Sequence, residues 1–154
     1  MKQWTSIAAI TALCCTLLAA CGSDQQVVMP TPDDVTSETS VTVTYGESSR
    51  SVVLDQFTTV SVSGADYVNL ADVIATAIPD TSLDQLLVTN FIATDGFMPT
   101  ASPNCTGMLP LEGVTLEQGY ISPSTRNLTW DADLGYAGCM SVKDTEEILI
   151  EDKE

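Results

Sequence analysis

The chain has 154 residues, 21 acidic against 5 basic, no histidine, and a formal net charge of −16 at neutral pH. So acidic a surface repels phosphate backbones, which excludes nucleic acid as a partner. The missing imidazole removes the commonest general base, the Ser-His-Asp and Cys-His constellations and the usual nitrogen ligand for a metal. An enzyme built on this chain would have to work with carboxylates, Tyr, Ser or a cofactor.

At the N-terminus one positive charge, Lys2, precedes a mostly apolar run from Ile7 to Leu18 and the sequence Leu18-Ala19-Ala20-Cys21. This is the order of an export signal: charged region, apolar region, small-residue cleavage site. A membrane anchor needs about 20 apolar residues to cross a core of about 30 Å, and the run is shorter and interrupted by Thr11 and Thr16. An ordinary secretory signal would not require cysteine at that place. The four residues resemble the lipobox of bacterial lipoproteins. The resemblance implies that residues 1–20 are removed, that the Cys21 thiol takes a diacylglycerol, and that its freed amine takes a further acyl chain such as palmitate. Each buried methylene contributes about 0.8 kcal/mol, so two or three chains anchor durably where one does not. Gly22-Ser23, with no Asp at position 22, looks like the outer-membrane address of such proteins, facing the periplasm or the cell surface.

Residues 21–38 read as the lipidated N-terminus and an acidic tether, with two prolines, two glutamines, four acids and little to bury. A flexible tether of this length spans on the order of 20–25 Å. Residues 39–150 read as one α+β domain: a small mixed or antiparallel sheet with one or two short helices. Ser40 to Tyr45 alternates β-branched with polar residues as a half-buried strand does, and Gly46 to Ser49 is a turn. Ser51 to Leu54 and Thr58 to Ser63 repeat the strand pattern, so a meander of short antiparallel strands is expected. Asn69 caps the clearest helix, whose apolar positions are Leu70, Val73, Ile74, Ala77 and Ile78 and which Pro79 stops.

Leu86 to Ala93 is a near-continuous apolar run and reads as a central strand ending in the turn Thr94-Asp95-Gly96-Phe97. Met98 to Pro110 is an irregular crossing. Leu111 to Ile121 leaves a short helix around Leu116 to Tyr120 open. Asn127 to Trp130, Cys139 to Lys143 and Glu147 to Ile150 read as strands, and residues 151–154 as a frayed acidic tail.

Of five cysteines, Cys14 and Cys15 would leave with the signal and Cys21 would be lipidated. Cys105 and Cys139 remain. In an oxidising compartment an isolated pair is most simply a disulfide; the rival reading keeps one as a metal-bound thiolate, without a histidine or a close second cysteine to help it.

Val68 to Ile74, Ile92 to Phe97 and Val142 to Ile148 form a helix after strands, a strand ending in Asp-Gly-aromatic, and a Val-Lys pair before a closing strand. In that order they resemble a truncated molybdopterin-binding oxidoreductase domain of the sulfite oxidase type, a mixed α+β fold. The family holds molybdenum through a cysteine thiolate and grips the pterin phosphate with basic side chains and backbone amides. On this chain the candidate thiolates are Cys105 and Cys139, and the basic residues beyond the signal are Arg50, Arg126, Lys143 and Lys153. None of the family's cofactor residues can be placed on them, so a cofactor-free relative is expected, with no catalytic, cofactor-binding or metal residue assigned.

Smaller features have bland readings. Asp131 and Asp133 make a solvated acidic turn sooner than a calcium loop, which needs more oxygens in register. Asp95 beside Gly96 is turn chemistry before it is an acid or base. Phe97, Tyr120, Trp130 and Tyr136 are expected in the core under the proline-rich crossing. Asn104 and Asn127 stand in glycosylation sequons that a bacterial lipoprotein would rarely use. The expected protein is therefore an envelope lipoprotein held on its membrane by Cys21, with a domain that binds an envelope protein or a small ligand. Two alternatives stand beside it: a molybdopterin-dependent oxidoreductase domain or subunit, and a structural component of the cell envelope.

Overall fold

The computed structural model describes residues 39–136 and 138–154; the Leu18–Cys21 motif, the Cys14-Cys15 pair and the tether lie outside them. The described chain is α+β, with two sheets and one α-helix. β1 (Ser40–Tyr45) and β2 (Ser48–Val53) form an antiparallel hairpin closed by Gly46 and Glu47. β3 (Val60–Val62) and β4 (Ala65–Asn69) form a second one, in which Ser63 and Gly64 both take positive φ (52° and 83°). A two-residue hairpin loop favours that conformation because its twist matches that of the strands it joins.

α1 (Leu70–Ala77) follows directly. The Asn69 side chain accepts a hydrogen bond from the Ala71 N–H at 2.8 Å, satisfying one of the donors a helix start leaves open. Leu70, Val73 and Ile74 are buried, and Pro79 follows the C-cap Ile78, so the cap, stripe and stop stand where the sequence places them. Eight residues would not hold as an isolated helix in water; the stripe is stabilised by packing.

β5 (Leu86–Ala93), β6 (Leu111–Glu112), β7 (Gly119–Ile121), β8 (Leu128–Trp130) and β9 (Thr145–Asp152) complete the sheets. The larger sheet has the order β2-β1-β9-β5-β6 and the smaller β3-β4-β7-β8. β9 pairs parallel with β1 and antiparallel with β5, so the last strand, not β5, is the middle of the larger sheet. The expected meander is therefore divided: the β1–β2 hairpin joins one sheet, the β3–β4 hairpin the other. Val41, Val43, Val52, Phe91, Ile148 and Ile150 share one core with the α1 stripe.

Two expectations are corrected, and one segment left open is resolved. Cys139 to Lys143 is a run of turns and bends, not a strand. Gly138 enters it at φ 94°, and the Met140 carbonyl accepts from the Trp130 indole N–H at 2.7 Å instead of from a neighbouring strand. The segment from Leu111 to Ile121 divides into β6, a 3-10 stretch at Gly113–Gln118 and β7. The tail joins the sheet: Glu151 and Asp152 pair with Leu87 and Leu86, and the Lys153 N–H donates to the Gln85 carbonyl at 2.7 Å.

Candidate functional site

At the end of β5 the chain turns within four residues. The Asp95 carboxylate accepts from the Phe97 N–H at 2.9 Å, and the Gly96 N–H donates to the Ala93 carbonyl at 2.9 Å. Gly96 takes φ 82°, which a β-carbon would disfavour. Asp95 is thus a turn-forming residue, as its place beside glycine suggests. The turn forms one wall of an open groove of about 230 Å³, lined by Ala93, Asp95, Phe97, Gly138, Ser141 and Lys143.

The second wall comes from the irregular segment before β9, which two contacts hold. Cys139 is paired with Cys105, with 5.4 Å between their α-carbons, in the range of a disulfide. This joins the groove wall to the 3-10 turn Pro103–Cys105 of the proline-rich crossing. Behind it, Trp130 meets Phe91 and Tyr136 edge-on, with ring centroids 5.8 and 5.4 Å apart. Of the four aromatics expected in the core, Trp130 is buried, Tyr120 and Tyr136 are half-buried, and Phe97 is 40% exposed, a correction. The Asp95 turn itself tips Phe97 outward onto the groove rim, where a ring offers a ligand an apolar face.

Beside the groove a clamp ties three segments together. Asp144 binds Arg126 through Nε at 2.9 Å and through a guanidinium nitrogen, and also accepts from the Thr94 hydroxyl. Its backbone N–H donates to Asn127 Oδ1 at 2.9 Å, and the Thr94 N–H donates to the Asp144 carbonyl at 3.0 Å. The hydrogen bonds from Thr94 and then Arg126 hold the Asp144 carboxyl below its ordinary value. The sequence carries no local sign of this clamp, because its members are up to 50 residues apart.

The groove offers one ammonium (Lys143), one carboxylate (Asp95), one hydroxyl (Ser141) and an exposed ring. These groups can orient a small polar molecule. Among the described residues no three His, Cys, Asp or Glu side chains converge in a way that could hold a metal ion. Asp131 is the N-cap of a 3-10 turn at Ala132–Leu134, and Asp133 lies within it.

The residues present do not fit a molybdenum–pterin group. Both described cysteines are committed to one another, leaving no thiolate donor. Arg126 is paired with Asp144 and Lys153 with Glu112, while Arg50 and Lys143 line different grooves. That second groove, about 410 Å³, is lined by β1, β2, the last residue of α1 and the residues after it; of its lining, the sequence offers only Arg50 as a candidate, through the pterin-phosphate resemblance. No protein-family model, curated protein or solved structure matches the chain.

Proposed function

We propose that the chain is a bacterial lipoprotein, anchored by acylated Cys21 to the outer membrane, whose domain is non-catalytic and binds a small ligand or partner protein of the envelope. The observation that carries the reading is Leu18-Ala19-Ala20-Cys21 behind a short apolar run. Two features of the domain support it. The Cys105–Cys139 pair suits an oxidising compartment, and the groove beside Asp95 has recognition chemistry: an ammonium, a carboxylate and an exposed ring around one opening.

A second reading, a molybdopterin-dependent oxidoreductase domain, has one observation in its favour. Asp95-Gly96-Phe97 and Val142-Lys143, two of the segments that carry that resemblance, contribute residues to the same groove. Metal analysis with thiol titration of protein purified from envelopes separates the two. An oxidised pair without molybdenum supports the binding module; bound molybdenum with a free Cys105 thiol overturns it.

A further inference from the structure

Sheet edges are where proteins guard against unwanted pairing, by shortness, proline, bulges or charge. Among the described residues four strands stand at edges. β6 has two residues and β3 and β8 three each, too short to template a partner. β2 has six, pairs with β1 alone in unbroken register, and contains neither proline nor bulge. Ser48, Ser49, Arg50 and Ser51 are all exposed. Beside it lies the 410 Å³ groove, between Val43 and Arg50 on the hairpin and Ala77, Ile78 and Asp80 at the end of the helix and just beyond it. An unpaired strand edge with an apolar groove along it is the arrangement by which folded domains take up extended peptides: main-chain bonds supply affinity, and alternate side chains in the groove supply specificity.

We infer that the β2 edge and this groove form a second recognition surface, which adds an extended segment of another protein as a sixth strand. The segment carries one carboxylate opposite Arg50 and an apolar residue two positions away, opposite Ser48 and toward Tyr45, Ala77 and Pro79 of the groove. Charge selects this occupant. Arg50 is one of few cations in a strongly acidic chain and has no ion-pair partner among the described residues. Asp80 on the facing wall repels a second carboxylate. A net charge of −16 opposes pairing of β2 with a second copy. The surface is separate from the groove beside Asp95 and does not depend on the lipid anchor.

The probe is a seven-residue peptide alternating threonine with valine, glutamate and valine, titrated into the isotopically labelled protein. Saturable shifts of the Ser48–Val53 amides are expected. N-methylation of alternate peptide amides should abolish them, and replacing the glutamate by lysine, or Arg50→Gln in the protein, should weaken binding about tenfold. Arg50 is exposed, so the variant keeps the amide spectrum of the parent. The inference is overturned by an absence of β2 shifts at roughly 1 mM peptide, the weak end of specific affinity. Equal binding of the methylated or lysine peptide also overturns it, as does a protein dimer in which the β2 amides are already protected.

Discussion

Arg126 and Asp144 both hold left-handed backbone, at φ 55° and 49°, and their side chains bind one another across 18 residues of sequence. Left-handed non-glycine residues persist where their surroundings over-determine them. Here the Arg126 guanidinium also reaches the Ser40 carbonyl at 3.4 Å, the Arg126 carbonyl accepts from the Thr145 N–H at 3.0 Å, and Asn127 holds the Asp144 N–H. The clamp thereby joins the start of β1, the end of β5, the β7–β8 connection and the start of β9.

The clamp makes stability depend on acid. Asp144 is held below its ordinary 3.8 by Thr94 and Arg126, so the unfolded chain takes up its proton before the native one does. Its contribution is complete above the ordinary carboxylate range and is lost as pH falls through the depressed value. Thermal unfolding of Asp144→Asn should show a lower midpoint at neutral pH and a shallower decline from about pH 5 to about pH 3. An unchanged pH profile would remove the clamp from the account.

Cys105 and Cys139 close a loop with a sequence separation of 34 residues. Separating them should cost about 3–4 kcal/mol in the chain-entropy picture. Urea unfolding of the Cys105→Ser/Cys139→Ser double variant checks this. A midpoint equal to that of the parent would show the pair to be reduced in the working protein.

Gly113 sits where a β-carbon would lie 2.1 Å from the Leu83 carbonyl oxygen, which is backbone and cannot swing away. Gly113→Ala should destabilise by at least about 1–3 kcal/mol. Val114→Ala, at a neighbouring exposed position, should stay within about 0.5 kcal/mol. Comparable effects at the two sites would contradict the packing of the Gly113–Gln118 stretch against the Leu83–Gln85 turn.

Trp130 is 8% exposed and donates its indole N–H to the Met140 carbonyl. Trp130→Phe keeps most of the ring contacts but leaves that acceptor unpaired, for a loss of about 1–3 kcal/mol; Trp130→Ala should lose about 3–5 kcal/mol. Chemical denaturation of the pair checks the order. Equal losses would mean that the hydrogen bond, not the aromatic stack with Phe91 and Tyr136, dominates.

Local features of the fold were legible from the residues. Asn69 before an apolar stripe and Pro79 after it define α1, and eight strand-forming residues define β5, because both patterns are matters of neighbouring side chains. What was not legible is long-range. Nothing in Thr145 to Asp152 says that it will lie parallel to β1 and occupy the middle of the sheet. Cys139 to Lys143 has strand composition, yet the cysteine pair, the positive φ of Gly138 and the Trp130 indole hold it in turns. The groove was half legible: Asp95-Gly96 marks a turn, but its facing of Lys143 and Ser141 arises from tertiary structure.

The most direct measurement is mass spectrometry of the N-terminal peptide from protein isolated with its envelope. It should begin at Cys21 and carry a diacylglycerol with a further acyl chain on the amine. A chain cleaved elsewhere, or an unmodified Cys21 thiol, would contradict the account.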